Sequence, residues 1–267
     1  MTADLREFLT LAPIGFLVGA YGTLVGAGGG SILVPVLLLL NPHQDPSAVT
    51  AISLAVVFFN AYSGTISYVR MGRVDFRAGT IFSIAGLPGA VLGTLLVHEI
   101  PRAWFDPVFG LLLLGIGGYL VANPLGPRSR RTGEADEPEQ TAGLTNGQML
   151  AGSIGSAYIG VVSSLLGIGG GIIHVPFLIR GLDMPPHVAT ATSHFVLTFV
   201  ALVATITHVS LGAFEQGVGE TAYLSIGVMM GAPLGAALSS RLRGSLIMRT
   251  LAFALCLVGV RMLWRSV

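Results

Sequence analysis

The sequence predicts an all-α polytopic membrane protein made of two inverted-topology repeats, each a Gly-rich interrupted or re-entrant helical hairpin followed by three spanning helices. Three observations carry this. Of the 267 residues 52% are hydrophobic and only 10% are charged, whereas soluble domains carry about a quarter charged, so most of the chain is suited to lipid rather than water. Apolar runs of about 20 residues, the length that crosses a ~30 Å hydrocarbon layer, recur along it. One Gly-rich element also occurs twice: residues 19–35 (GAYGTLVGAGGGSILVP) match residues 160–176 (GVVSSLLGIGGGIIHVP) at a constant offset of 141.

The elements follow in order. Residues 1–7 carry Asp4, Arg6 and Glu7 instead of the positive start of a secretory signal, and the apolar stretch behind them is too long for one, so it reads as the first membrane segment. Residues 10–40 are too long for one upright helix; glycines split them and Pro35 follows, which predicts two short arms joined by a break. The second arm, residues 31–40, is about 15 Å long at 1.5 Å per residue and ends mid-membrane. Spans near 47–69, 77–97 and 103–122 complete the first repeat, residues 1–122. Residues 123–147 hold Pro124, Pro127, Arg128, Arg130 and Arg131, then Glu134, Asp136, Glu137 and Glu139, with almost nothing apolar. They form a solvated, cytoplasmic linker. The second repeat, residues 148–267, has a broken segment at 148–180 and spans near 188–211, 218–239 and 246–264. Its kinship to the first extends beyond the glycines, since TAIS at 50–53 meets TATS at 190–193, and residues 66–72 meet residues 206–212, both at an offset of 140.

Orientation rests on arginine, because the chain contains 14 Arg and no Lys. Re-entrant broken segments put the N-terminus outside and give the halves opposite topology. Ten arginines then face inside and four outside; parallel halves give nine against five. The acidic, Arg-free turn at 213–220, which falls outside in the inverted version, favours that version.

A break in a membrane helix must face something, because an unpartnered backbone N–H or C=O in lipid costs several kcal/mol. In Gly26, Gly28, Gly29 and Gly30, and in Gly167, Gly169, Gly170 and Gly171, missing side chains expose successive amides, and each break delivers the N-terminus of the next arm. Bare amides and the positive end of a helix dipole suit a small anion without any charged side chain. Packing alone is the competing reading, since Gly15/Gly19 and Gly22/Gly26 have the four-residue spacing of close helix contacts. Ser31, Ser53, Asn60, Thr192, Ser193 and His194 are the polar candidates beside the breaks. Among them Asn60 and His194 cost most to bury. His174, His194 and His208 all fall in the second half, where the first has Leu33, Leu54 and Tyr68; His194 and His208 are candidates for a proton relay.

Several classes are excluded or weakened. A net charge of +1 leaves no electrostatic footprint for nucleic acid. Cys256 is alone in an apolar run, so neither an internal disulfide nor a Cys-based metal site is available. Asp45, Asp75, Glu99, Asp183, Glu215 and Glu220 are all assigned to turns, which weakens a cation carrier with a buried acid. No catalytic constellation or metal spacing is present, so no enzyme, cofactor or metal is expected.

The doubled Gly-x-Gly-Gly-Gly-x-x-x-x-Pro element (Pro35 and Pro176 closing it), followed by Thr-Ala-x-Ser and by YVRMGRVD at 68–75, resembles the TauE/SafE family, also called the toluene-sulfonate uptake permease family. The resemblance covers nearly the whole chain apart from the linker. It implies a bacterial or archaeal-type permease of the cell (inner) membrane for sulfite, sulfonates or related sulfur anions, in several members an exporter. The second copy departs from the first at Ser210, which replaces Arg70, so any role of that Arg is single. The expected function is alternating-access transport of a small anion, with an anion channel and a membrane scaffold beside it. Expected partners are the small anionic substrate and the lipid bilayer, with a coupling proton or cation and a second copy of the chain (a homodimer) as further candidates.

Overall fold

The computed structural model describes residues 3–40, 44–122, 144–214 and 217–239, and isolated positions between 249 and 264. The first repeat contributes α1 (Ala3–Val25), α2 (Gly30–Leu40), α3 (Pro46–Arg70), α4 (Phe76–Val97) and α5 (Arg102–Ala122). The second contributes α6 (Asn146–Leu166), α7 (Gly171–Gly181), α8 (Pro186–Ser210) and α9 (Val218–Ser239). Among the described residues there is no strand, and seven helices are long and apolar enough to cross a membrane. The short ones are α2 and α7, each of 11 residues and so about 16 Å long, half a bilayer core.

Local chemistry sets the boundaries. Asp45 precedes Pro46 at the start of α3, and the Asp75 side chain accepts the Ala78 amide at 3.0 Å to open α4. Thr145 and Gln148 form a reciprocal capping box on α6. The exits of α3 and α8 share one left-handed glycine turn: Gly72 (φ 67°) and Gly212 (φ 74°), with the amides of Arg73 and Ala213 donating back to the carbonyls of Tyr68 and His208. The duplication is thus preserved down to single backbone bonds.

Two differences from the sequence expectation concern the broken segments and the acids. Their first arms are not short: α1 has 23 residues and α6 has 21, each long enough to span. Helix α1 extends back over Asp4, Arg6 and Glu7, polar residues that a hydropathy reading trims away. Of the acids, Glu220 lies in the first turn of α9, and Asp106, absent from the sequence's candidates, is half-buried in the second turn of α5. Residues 123–143 of the expected linker at 123–147, Glu215 and most of the expected span at 246–264 lie outside the described residues, while Asn146 and Gly147, assigned to the linker from sequence, open α6. Where that last segment is described it lies on α5, with Cys256 Sγ against Gly117 and Leu263 against Gly110.

The halves interlock rather than stand side by side. A Cβ added to Gly227, Gly231 or Gly235 of α9 would strike α1 backbone at Ala12/Phe16, Phe16/Ala20 and Ala20/Leu24. Numbers rise together, so α1 and α9 run parallel in backbone contact. The equivalent pair is α6 with α4, where Gly89 and Gly93 meet the backbone of Ala157/Val161 and Val161/Leu165. Glycine every fourth residue permits this approach, and close packing is what joins helices in lipid. Between the two pairs run α3 and α8. Tyr68 faces His194 (ring centroids 5.5 Å apart) and Thr65 bonds Thr198 (3.1 Å), while Val57 and Ala61 cluster with Leu197 and Ala201, so these two helices are antiparallel.

Gly231→Leu is expected to separate α1 from α9 and lower the melting temperature in detergent markedly, by overpacking of about 1–3 kcal/mol or more. Gly115→Ala, where an added Cβ meets nothing within 4 Å, is expected to be neutral or slightly stabilising. Equal effects of the two would contradict the packing described.

Candidate functional site

Each break is a run of left-handed glycines. Gly26, Gly28 and Gly29 have φ of 78°, 72° and 81°, and Gly167, Gly169 and Gly170 have 69°, 74° and 76°. Side chains rarely adopt this region, which is why the motif repeats glycine at these positions. The chain folds back on itself at once: the amides of Ala27 and Gly28 donate to Gly22 O (2.8 and 3.2 Å), and that of Ile168 to Ser163 O (3.1 Å). The first intrahelical bonds of the short helices then run from Leu33 N to Gly29 O and from His174 N to Gly170 O. Ahead of them lie the N-terminal amides that every helix leaves unsatisfied, and no side chain caps α7 at Gly170.

The two breaks meet, and they do so reciprocally. A Cβ on Gly30 would lie 2.7 Å from Gly167 O and 2.8 Å from Ile168 O; one on Gly171 would strike Gly26 O and Ala27. The start of each short helix therefore abuts the end of the long helix from the other repeat. The turned-out carbonyls are satisfied crosswise as well. Ser53 Oγ donates to Gly167 O at 2.6 Å, and Ser193 Oγ to Gly26 O at 3.5 Å. Thr50 packs against Gly167 and Thr190 against Gly26 in the same exchanged manner. Val57 and Leu197, equivalent residues of α3 and α8, both touch Gly28, and Val57 also touches Gly169. They form an apolar plug between the breaks.

The polar side chains beside this junction are not arranged symmetrically. On the α1 side Thr23 Oγ1 donates to Asn60 Oδ1 (3.0 Å), lies 3.3 Å from His194 Nε2, and is backed by Tyr68, whose hydroxyl donates to Thr23 O at 2.7 Å. All four residues are fully buried. With the Thr23 proton given to Asn60, the hydroxyl accepts from His194, which puts the ring hydrogen on Nε2. On the α6 side lies a cavity of about 10 Å³, room for one water, lined by Ser156, Ser163, Gly169, Gly170, His174 and α8 side chains.

Of the residues singled out from sequence, the eight motif glycines form the two breaks, Ser53 and Ser193 bond across them, Asn60 and His194 stand in the adjoining cluster, and Ser31 is buried in the first turn of α2. Thr192 and His208 do not join it. The Thr192 hydroxyl accepts the Asp75 amide (3.0 Å) at the mouth of α4, and His208 faces His98 (centroids 5.4 Å apart), about 21 Å along α8 from His194. Among the described residues no chain of hydrogen bonds joins the rings of His194 and His208, and no cluster is placed to hold a metal ion. Thr23, Tyr68, Ser156 and Ser163 were missed by sequence reasoning. The mismatch of Gly22 with Ser163 and of Gly15 with Ser156 under the repeat is the signal that marks the last two.

Removing Ser53 Oγ orphans a buried carbonyl. Ser53→Ala is expected to cost about 1–3 kcal/mol of stability, and Ser193→Ala, whose bond is long, less. The two melting temperatures in one detergent check this, and the reverse order would contradict it.

Comparison with known proteins places the chain among membrane transporter relatives. Residues 11–262 match the family described as Sulfite exporter TauE/SafE. Probable membrane transporter protein YunE of Bacillus subtilis strain 168 is 28% identical, over 98% of this chain and 99% of its own length. A probable membrane transporter protein of Xylella fastidiosa strain Temecula1 is 30% identical over 94% of this chain and 93% of its own. MJ0441 of Methanocaldococcus jannaschii, also a probable membrane transporter protein, is 27% identical over 84% and 82%. No solved structure matches the chain. With its paired glycine breaks, seven helices among the described residues long and apolar enough to cross a membrane, and a family match running almost end to end, the chain is a multi-pass membrane protein that belongs to the sulfite exporter TauE/SafE family.

Proposed function

We propose that this protein is a secondary transporter of a small anion, an oxyanion of sulfur such as sulfite or a sulfonate, and that it works by alternating access. The observation that carries the proposal is the reciprocal junction of two glycine breaks inside the protein, each aiming the N-terminus of a half-length helix at the other. Such an arrangement suits an anion in a site that contains no charged side chain. The family description and the relatives' names support transport, and support sulfite as the first substrate to try.

An inverted relation of the repeats is supported by helix direction. Equivalent helices α3 and α8 are antiparallel, α9 runs parallel to α1, and α4 runs parallel to α6. A two-fold axis along the membrane normal would make α3 and α8 parallel; an axis in the membrane plane makes them antiparallel. Ser63 Oγ donates to Met229 O and Tyr68 OH to Ser239 Oγ, so α3 runs parallel to α9 and hence to α1; α2 then returns toward the face that α1 entered, and α1–α2 and α6–α7 are re-entrant hairpins from opposite faces. In the conformation described, the breaks abut and the Val57/Leu197 plug closes the path. Rocking of the α1/α9 pair against the α6/α4 pair opens the junction to one face at a time.

Sulfite flux into proteoliposomes is expected to saturate and to be accelerated by sulfite on the far side; linear flux without such acceleration would instead indicate a channel. For topology, Met71 and Leu211 are equivalent and exposed. In a Cys256→Ala background, Met71→Cys is expected to react with an impermeant thiol reagent from the cytoplasmic face and Leu211→Cys from the opposite face. Labelling of both from one face would reject the inverted repeat.

A further inference from the structure

The second break carries polar groups that the first lacks. The offset of 141 relates Ser156, Ser163 and His174 to Gly15, Gly22 and Leu33. In the first repeat the space is closed by backbone: Gly22 lies on Gly28 and Gly29, and Gly15 on Leu224. In the second the three polar side chains, with Gly169 and Gly170, line the cavity, and Leu197 and Val200 of α8 wall it off. Ser163 is 0% exposed and its Oγ has no partner among the described residues; His174 is 2% exposed and its Nδ1 has none either. Two unpartnered buried polar atoms beside one helix start are costly unless something comes to occupy them.

We infer that the anion is held at the second break alone, by Ser163 Oγ–H, His174 Nδ1–H and the leading amides of α7, with Ser156 as a positioning residue. The inference rests on the anion-transport reading and narrows it from a shared site to one side. Ser156 Oγ lies 3.1 Å from His174 Nε2. When its hydroxyl donates there, the ring hydrogen sits on Nδ1, so a neutral imidazole becomes a donor. The edge of the ring contact with Phe82 (centroids 6.2 Å, planes at 82°) holds the ring upright. Every free group is then a donor or can turn to be one, and none of the lining residues is a carboxylate. The carbonyl that opposes the start of α7, Gly26 O, is engaged by Ser193 Oγ at 3.5 Å. The recognised class is a small oxyanion, whose lone pairs take several donors at once. At about 10 Å³ the cavity admits only a water, so the anion enters when Leu197 withdraws; Leu197 is the same residue that plugs against Gly28.

The test is calorimetric binding of sulfite, and separately methanesulfonate, to the purified full-length protein in lipid nanodiscs, with melting temperature measured alongside. Ser163→Ala removes one unpartnered oxygen, so it is expected to leave the melting temperature unchanged or raised while weakening binding by about tenfold or more. His174→Leu, the first repeat's residue, is expected to abolish measurable binding, and His174→Gln, which keeps a donor, to recover much of it. Ser156→Ala is expected to weaken binding less than His174→Leu, through loss of the ring's tautomer control. Wild-type binding with Ser163→Ala and His174→Gln both within twofold of it, and His174→Leu likewise, would overturn the one-sided site and leave the anion reading intact. Absence of saturable binding of either anion to the wild type would overturn both.

Discussion

The structure depends on how two interrupted backbones are satisfied inside lipid. A glycine break strands carbonyls at the end of one helix and amides at the start of the next, and neither has water to turn to. Here each repeat supplies what the other lacks: Ser53 of the first takes Gly167 O of the second, Ser193 of the second takes Gly26 O of the first, and Gly30 and Gly171 let the backbones touch. Within its own repeat a break gets only part of this support, such as the Tyr68 hydroxyl on Thr23 O and the folded-back amides of Ala27 and Ile168. The break is therefore a property of the pair, and a single repeat would expose it to hydrocarbon.

That dependence explains the interlocked helices. If each hairpin relies on the opposite repeat, the long arm that carries it must be fixed there too, and the glycine rows of α9 and α4 seat α1 and α6 in backbone contact. The glycines thus divide into two kinds. Those at 227, 231 and 235, and at 89 and 93, exist for close approach, while those at 26, 28 and 29, and at 167, 169 and 170, exist for left-handed backbone. Close packing and site geometry are two uses of one residue, separated by spacing: every fourth position in the first case and neighbouring positions in the second.

Duplication supplies a symmetric frame on which asymmetric chemistry is placed. The backbone turns at Gly72 and Gly212, the crossed serines and the Val57/Leu197 plug obey the repeat. The buried polar groups do not. A Thr23–Asn60–His194–Tyr68 network, its hydroxyls satisfied but Asn60 Nδ2 and His194 Nδ1 without partners among the described residues, lies on one side, and a Ser156–His174 pair beside a water-sized cavity lies on the other. On the proposed reading, a frame that rocks symmetrically carries a load bound to one half.

Read alone, the sequence determined the solvent, the duplication and the breaks, because burial in lipid demands long apolar runs and a left-handed backbone demands glycine wherever it occurs. It assigned α2 and α7 as half-length helices from their span, and placed Ser53, Ser193, Asn60 and His194 near the junction from their position after each break. It fell short on the long arms α1 and α6, whose polar first turn hides the helix from a hydropathy reading, and on Thr192, which helical rotation carries away from the junction. Only the tertiary structure decided that the breaks touch, that each serine serves the opposite repeat, and that one side is packed with backbone while the other keeps a cavity. Those outcomes depend on which helices become neighbours, and contacts between residues more than a hundred positions apart leave no periodic trace along a chain.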